Sequence, residues 1–541
     1  MGNKSDNLYI KLPVILALAI CVGIIIGANF ADSSPPGSGS ANSLLKLRQV
    51  FTAIDRDYVD ETKSDELVET AINSILKKLD PHSVYINAEE LEFTKSQLEG
   101  EFEGIGIEFN LVSDTIFVVN TLPGGPSEQV GILPGDKIVT VEDDTIAGKG
   151  LNNTDVVSLL RGAKGSEVLV GIKRRGKDHL LPLTITRDKI PQYSVDVSYM
   201  IDDKTGYIKV SRFAATTYDE FKEALEKLKG KGMRRLMVDL QDNPGGYLDR
   251  AVDMIDELLE DEAMIVYTDG KGDRYDNEYR ATDKGIFENG PVVILINEYS
   301  ASASEIMAGA LQDNDRALIV GRRSFGKGLV QSTVPLNDGS QLRLTISRFY
   351  TPSGRSIQTS YENGLDDYNL DFNRRLEQGE LFSADSIRFA DSLAFETRSG
   401  RTVYGGGGIM PDYFVPLDTL RWSEYYTSLL YSNSIREYAL DYLEKNRDYL
   451  TGLSFKEYFD TFGVSSEMLQ ALVRTGEKKD VPFDPAGFDR SGDLLRTALK
   501  ATLARQIWGN EGYYPILNQA NGSYVRGLKL FKEAGNLASS K

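Results

Sequence analysis

The sequence predicts a multidomain α/β protein, in which a helical region, a β-rich module, an α/β core and a helical C-terminal extension follow one another. Apolar residues recur at helical spacing from Leu44 to about Lys95. Short alternating segments between Gly, Pro and Asp turns occupy about 100–188, which is typical of strands. From Gly206 the pattern alternates between strand and helix, and after Pro416 it is helical and rich in tyrosine.

The composition excludes several classes of function. The net charge of −19 argues against a nucleic-acid-binding protein, because a phosphate-binding face needs a basic patch. The only histidines are His82 and His179, whereas zinc sites and Ser-His-Asp triads both depend on histidine. The single cysteine, Cys21, cannot form an internal disulfide. A hydrolase built from this sequence would therefore use another base.

The first 42 residues predict a membrane anchor and a linker. Residues 12–30 carry no charge and are just long enough to span a bilayer. Lys4 and Lys11 precede this run, which favours a cytoplasmic segment at 1–11 and a protein that lies outside the cytoplasm, for example in the periplasm. A cleaved signal peptide is the alternative, but the exit from the run lacks a clean cleavage site. Residues 31–42 are rich in Ser, Pro and Gly, as linkers are.

The remaining boundaries follow from the changes in pattern. We expect the helical region at 43–98, the β-rich module at 99–188, the α/β core at 189–416 with a polar insertion at about 354–402, and the helical extension at 417–541. The core contains a predicted helix near Tyr218 to Leu228, and strands at Tyr207 to Val210, Leu236 to Leu240, Val292 to Ile296, Ala317 to Val320 and Gln341 to Ile346.

A glycine-containing turn opens the β-rich module. Gly104-Ile105-Gly106-Ile107 precedes a strand, and by itself such a pair of glycines marks only a tight turn. Together with Pro134-Gly135-Asp136 and the helical stretch Asp155 to Leu160, it resembles a PDZ domain. The resemblance implies that backbone N–H groups of Gly104, Ile105, Gly106 and Ile107 bind the terminal carboxylate of a peptide, which is added as a strand to the sheet.

Ser302 lies between a predicted strand and a predicted helix. Apolar residues at 303, 306, 307, 310 and 311 indicate the helix, and Ser302-x-x-Glu305 fits a capping box, which is a sufficient structural role for this serine. The same turn would also project a nucleophile at the edge of the sheet. The N–H of Ala303 at the helix start could then stabilise an oxyanion.

Lys327 lies in a glycine-rich segment that has two interpretations. Gly321-x-x-x-x-Gly326-Lys327-Gly328 nearly matches a phosphate-binding loop, but Gly328 replaces the Ser or Thr that would hold magnesium, and the next residues predict a strand. A solvated loop lysine is one remaining possibility. In its apolar surroundings the lysine could instead be buried, which would lower its pKa and make the neutral amine a base.

The Ser302 and Lys327 segments, together with Gln331, resemble the carboxy-terminal processing proteases, also called tail-specific proteases. The resemblance runs from about residue 44 to Pro416 and includes Leu79-Asp80-Pro81-His82-Ser83 and Asn243-Pro244-Gly245-Gly246. It implies a ClpP/crotonase-like α/β protease core. It also implies that the enzyme is a serine endopeptidase that needs no metal or other cofactor.

Individual roles carry over by position. Ser302 matches the nucleophile, Lys327 the base and Gln331 the residue that orients the lysine. The oxyanion hole would use the N–H groups of Ala303 and of Gly245 or Gly246, between which the sequence does not choose. Gln241 departs from the family, which often has Arg after Asp-Leu. We interpret His82, in a helix-ending turn, as structural.

The implied substrates are proteins with apolar C-termini that dock on the PDZ domain. Ser302 would attack the scissile carbonyl while Lys327 takes its proton. The predicted anchor implies that the membrane is a partner. Whether an activating protein or a homo-oligomer is also involved stays open, and no nucleic acid is expected. The alternative function is an inactive PDZ scaffold at the membrane.

Overall fold

The computed structural model describes residues 38–112, 114–122, 124–174, 176–282 and 285–539. The predicted cytoplasmic segment and anchor, residues 1–30, lie outside the described residues. Within the described ranges, no helix combines the length and the hydropathy needed to cross a bilayer. The chain divides into two compact units, one ending at Ile75 and one beginning at Leu76.

The first unit contains the helices that the sequence predicts after the linker. Helix α1 spans Ser38–Asp57 and helix α2 begins at Ser64 and ends at Leu76, the first residue of the second unit. The last residues of the predicted linker are therefore helical. Pro35 and Pro36 both precede Ser38, so α1 contains no proline, the residue that most disfavours a helix interior.

The second unit opens with a feature that the sequence did not predict. Strand β1 (Val84–Ile86) lies inside the region expected to be helical and is followed by helix α3 (Ala88–Glu99). Its residues Val84, Tyr85 and Ile86 are strand formers, and they pair antiparallel with the strand that contains Arg343. This pairing brings the preceding Asp80–Ser83 turn to the α/β core.

The β-rich module has the predicted strands, and β3 forms one edge of its main sheet. Its elements are β2 (Glu101–Gly104), β3 (Ile107–Val112), β4 (Thr115–Thr121), α4 (Pro126–Gln129), β5 (Lys137–Val141), β6 (Asp144–Thr145), α5 (Asn153–Leu160), β7 (Glu167–Lys173), β8 (Leu181–Thr186) and β9 (Asp188–Pro191). The sheet order is β3-β4-β5-β7-β8, with β6 on β5, while β2 pairs with β9. Strand β3 is therefore an edge strand, and an edge can accept another strand.

The α/β core is built on a six-stranded sheet. Its elements are β10 (Val195–Met200), β11 (Thr205–Val210), α6 (Thr217–Gly230), β12 (Arg235–Asp239), α7 (Leu248–Asp256), β13 (Met264–Gly270), β14 (Asn277–Arg280), β15 (Val292–Ile296), α8 (Ala303–Asp313), β16 (Leu318–Gly321), β17 (Leu329–Pro335), β18 (Gln341–Tyr350) and β21 (Tyr413–Phe414). The order is β10-β11-β12-β15-β16-β21, parallel except for β10. A second sheet joins β1, β18, β13 and β14, with β17 on β18.

The predicted insertion is folded against this core. It contains α9 (Leu365–Asn369), α10 (Asp371–Glu377), β19 (Ala394–Glu396) and β20 (Thr402–Tyr404). Buried Glu380 accepts hydrogen bonds from Arg375 of the insertion at 2.9 Å and from Arg323 of the core at 2.5 Å. Charge-assisted bonds of this kind fix the insertion to the loop that precedes Lys327.

The C-terminal extension is helical, as predicted, and has two parts. The helices are α11 (Glu424–Tyr431), α12 (Ser434–Lys445), α13 (Arg447–Thr451), α14 (Phe455–Thr461), α15 (Ser466–Glu477), α16 (Pro485–Leu517), α17 (Gly522–Leu528) and α18 (Phe531–Ser539). Helices α11–α16 form a core of their own. Helices α17 and α18 instead cover the six-stranded sheet, where Tyr524 and Phe531 join Met237 and Leu295. A parallel sheet needs both faces covered, and these helices cover the second face.

Candidate active site

The predicted catalytic residues line one cavity of about 300 Å³. They come from three loops of the core: Gly245 and Gly246 after β12, Ser302 and Ala303 after β15, and Lys327 and Gln331 around the start of β17. The first two loops leave the carboxyl ends of neighbouring parallel strands, which is where α/β sheets place their sites. Lys327 is followed by a strand and not by the helix that a phosphate-binding loop requires, which agrees with the prediction from the sequence.

Ser302 has a backbone conformation that non-glycine residues rarely adopt. Its φ is 54° and its ψ is −112° at the start of α8. Such a conformation persists only where the surroundings fix it. Gly245 leaves room for this turn, since a Cβ at this glycine would lie 2.8 Å from the Cβ of Ser302 and 2.7 Å from the Ala301 carbonyl oxygen. The sharp strand-to-helix turn presents the serine to the cavity, as a nucleophile requires.

Glu305 joins the two loops that carry Ser302 and Lys327. Its buried carboxylate accepts hydrogen bonds from the N–H groups of Ser302 (2.8 Å), Lys327 (2.9 Å) and Gly326 (2.7 Å) and from the Ser324 hydroxyl (2.6 Å). Burial raises the pKa of Glu305 to about 7, although the four donors favour the charged form. The capping box revealed only the Ser302 contact, because the other three partners lie in a distant loop.

Lys327 is held by Gln331 and is not a solvated loop lysine. Its Nζ donates to Gln331 Oε1 at 3.0 Å, and Gln331 Nε2 donates to the carbonyl oxygen of His82. Since a carbonyl can only accept, His82 fixes the orientation of the amide and leaves Oε1 facing the lysine. Burial lowers the pKa of Lys327, and the nearby Arg343 lowers it further, while Glu305 and Asp80 oppose both effects.

The structure places His82 at the site through its backbone. The Asp80 carboxylate accepts from the N–H groups of His82 (2.7 Å) and Ser83 (2.8 Å), which shapes the turn. The His82 ring is hydrogen-bonded through Nε2 to the Tyr368 hydroxyl at 2.9 Å, so the insertion supports it. Burial, and then the charge of Lys327, lower the pKa of His82 to about 4. The ring is therefore neutral at neutral pH, and the contacts of His82 with Gln331 and Tyr368 show a supporting role whose partners the sequence did not reveal.

The geometry distinguishes the two glycines that the sequence left open. The Gly245 N–H donates to Asn243 Oδ1 at 2.9 Å and is thereby occupied. Among the described residues, the Gly246 N–H makes no backbone hydrogen bond. The isolated β-bridge between Phe213 and Gly246 is formed instead by the Gly245 carbonyl, which accepts from Phe213, and by the Tyr247 N–H, which donates to Phe213. Ala303 is the first residue of α8, where the N–H has no partner within the helix. These two N–H groups are the available donors.

The turn that contains Gln241 is held by other parts of the chain. Asp239 accepts from the Tyr207 hydroxyl at 2.7 Å and from Lys209 Nζ at 3.2 Å. Lys209 also donates to the Gln241 carbonyl at 2.5 Å. Asn521, from the C-terminal extension, donates to Gln241 Oε1 at 2.7 Å. The turn is therefore supported from both sides.

A second cavity, of about 80 Å³, lies in the β-rich module. Gly104, Ile105, Gly106 and Ile107 line it at the start of edge strand β3, opposite Val157 and Leu160 of α5. An extended chain could pair with β3 and place an apolar side chain against α5.

Replacing Lys327 with Met tests the burial of its charge. Its pKa is lower in the folded protein, so the unfolded chain binds this proton more tightly and the lysine destabilises the fold at neutral pH. We expect Lys327→Met to raise Tm at pH 7, on the order of 2 °C. The gain should decrease as the pH rises from the folded pKa towards 10.5, the ordinary value. Scanning calorimetry across this range measures it, with exposed Lys231→Met as the control. A Tm difference that does not change with pH would contradict the expected effect.

Four family models match the chain. They are peptidase family S41 at residues 204–366, the PDZ domain at 104–185, the activating protease CtpB N-terminal domain at 27–90 and a family of unknown function at 425–509. The first two fall on the α/β core and the β-rich module. The last falls within the helical extension, for which the sequence offered no motif.

Curated relatives match over most of their length. The carboxy-terminal-processing protease of Bartonella bacilliformis is 37% identical over 58% of this chain and 72% of its own. The carboxy-terminal processing protease CtpB of Bacillus subtilis is 32% identical over 69% of this chain and 78% of its own. These matches confirm the predicted family, fold class and type of enzyme. The chain belongs to the carboxy-terminal processing proteases of peptidase family S41, and it is a serine peptidase with a PDZ domain.

Proposed function

We propose that the protein is a membrane-anchored endopeptidase in which Ser302 is the nucleophile, Lys327 the general base and Gln331 the residue that orients the base. The observation that carries this proposal is the bond between Lys327 Nζ and Gln331 Oε1 in the cavity that Ser302 lines. An amine that is held in place and has a lowered pKa is suited to accept a proton from a serine hydroxyl.

The reaction follows from these positions. Neutral Lys327 takes the hydroxyl proton as Ser302 Oγ attacks the scissile carbonyl carbon, and the N–H groups of Ala303 and Gly246 stabilise the resulting oxyanion. The protonated lysine then gives its proton to the leaving amine, and the peptide bond breaks to leave an acyl-enzyme. Water attacks the ester with Lys327 again as base, which releases the acid and restores Ser302.

The supporting residues prepare this arrangement before substrate binds. Glu305 fixes the backbones of Ser302 and Lys327, and the His82 carbonyl fixes the Gln331 amide. A site that is already ordered has no reorganisation to complete in the transition state.

Two substitutions test the proposed dyad on the full chain in detergent, with an unstructured protein that ends in apolar residues as substrate. We expect Ser302→Ala and Lys327→Ala each to lower kcat/KM by at least ~10³-fold, while Lys231→Ala has no effect. The wild-type rate should rise with pH through the lowered pKa of Lys327 and then level off. A Ser302→Ala protein that cleaves at the wild-type rate would refute the assignment. A wild type that is inert but binds C-terminal peptides would favour the scaffold.

We further propose that the PDZ domain selects substrates by an apolar C-terminus. The cavity between β3 and α5 supports this, because the edge strand offers backbone groups and Val157 and Leu160 offer apolar contact.

A charged substitution in the groove between β3 and α5 tests substrate recognition separately from peptide-bond cleavage. We expect Val157→Asp to raise KM for the tailed protein by about 10-fold or more, since an unpaired charge would face an apolar side chain. The rate on a short peptide that spans only the scissile bond should not change. Ser158→Asp places the same charge on the exposed face of the same helix and serves as the control. If both variants process the tailed protein at the wild-type KM, the groove does not select substrates.

The charge-free run at 12–30 is the basis for a proposed single-pass anchor, with the protease outside the cytoplasm. We expect the full chain to stay with membranes after an alkaline carbonate wash and to be digested by protease added to the outside of spheroplasts. Release by carbonate, or protection in intact spheroplasts, would rule out the anchor or its orientation.

A further inference from the structure

Arg343 is a half-buried cation in the cavity of the proposed dyad. It lies on β18 and lines the cavity together with Ser302 and Lys327. Two apolar residues of the same cavity wall, Leu329 and Phe349, are buried. The guanidinium is thus placed where the local surroundings screen charge poorly.

Other buried arginines of this protein have polar partners. Arg316 donates to three backbone carbonyls at 2.6–2.8 Å, and Arg355 pairs with Asp313 at 2.7 Å. Among the side chains that the structure describes, the Arg343 guanidinium has no carboxylate partner and no hydrogen bond, and only the Tyr247 phenol favours its charge. Burying an unpaired cation is unfavourable, so a functional role is the better explanation for the charge of Arg343.

Besides Arg343 on β18, the charged and titratable groups that face Lys327 come from two elements. Glu305 projects from α8, and Asp80 and His82 from the turn before β1. Both carboxylates favour a charged lysine, but each is engaged by several donors of its own. His82 is neutral. Among the described residues, Arg343 is therefore the charged neighbour that opposes protonation of Lys327, and none of them forms an ion pair with its guanidinium.

We propose that Arg343 is a positioning residue for peptide hydrolysis, whose positive charge keeps the amine of Lys327 unprotonated and able to accept the proton of Ser302. This role rests on the proposed function of Lys327 as the base. A second cation beside a lysine disfavours the charged ammonium, and this is one of the few ways in which a protein makes a neutral lysine amine available as a base.

The test measures the titration of Lys327 directly as well as through activity. In the Ser302→Ala full chain, acetic anhydride labels free amines, and mass spectrometry gives the labelling of Lys327 as a function of pH. In active protein, the pH dependence of kcat/KM on a neutral peptide gives the same titration. Both are measured for Arg343→Gln, Arg343→Met and Arg343→Lys. Arg348→Gln, on the same strand but exposed, is the matched control.

We expect both titrations to move upward by roughly one pH unit in Arg343→Gln and Arg343→Met, which is about a tenfold loss of kcat/KM below the transition. The plateau at high pH should be retained. Arg343→Lys keeps the charge and should restore the wild-type profile, and Arg348→Gln should not change it. A purely structural role would not move a titration.

Three outcomes would overturn the proposal. Lys327 could titrate at the same pH in wild type and Arg343→Gln. Arg343→Gln could raise KM only for peptides with Asp or Glu near the scissile bond, which would make Arg343 a binding site for a substrate carboxylate. Arg343→Lys could behave like Arg343→Gln. If Lys327→Ala keeps its activity, the base assignment fails instead, and the labelling still reports whether Arg343 shifts the titration.

Discussion

The carboxylate of Glu305 is the interaction on which the proposed active site depends. It is buried, and a buried charge is stable only where hydrogen bonds replace the water it has lost. The four donors that it gathers come from the start of α8 and from the loop before β17. One side chain therefore fixes the distance between the loop of Ser302 and the loop of Lys327, and it also holds Ser302 in its uncommon backbone conformation.

Distant parts of the chain support this centre. The turn before β1 supplies the His82 carbonyl to Gln331, the insertion supplies Tyr368 to the His82 ring, and the C-terminal extension supplies Asn521 to Gln241. Helix α17 packs closely on the main sheet because Gly527 has no side chain, and a Cβ there would lie 2.9 Å from Met237. The end of the extension, which follows the segment at 425–509 that matches a family of unknown function, is thus part of the enzyme's structural support.

The electrostatics of the site follow from the scarcity of histidine. A lysine can replace a histidine as base only if its charged form is disfavoured. Burial provides most of this effect, and the charge of Arg343 adds to it. His82, the histidine nearest to the cavity, has its pKa lowered to about 4 and is held by Tyr368, so it is not poised to exchange protons near neutral pH.

The sequence by itself determined the order of the parts, the family and the type of enzyme, because these depend on local patterns: the glycine turn before β3, the serine between strand and helix, and the lysine between two glycines. It also placed the buried strands β12 and β15 closely, since continuous apolar runs mark them. Only the tertiary structure decided that β1 pairs with β18 in the second sheet, that the Gly245 N–H is engaged by Asn243 while the Gly246 N–H has no partner among the described residues, and that Lys209 binds the Gln241 carbonyl. These outcomes depend on hydrogen bonds and charges between residues far apart in the chain, and such contacts leave no periodic pattern in the sequence around either partner.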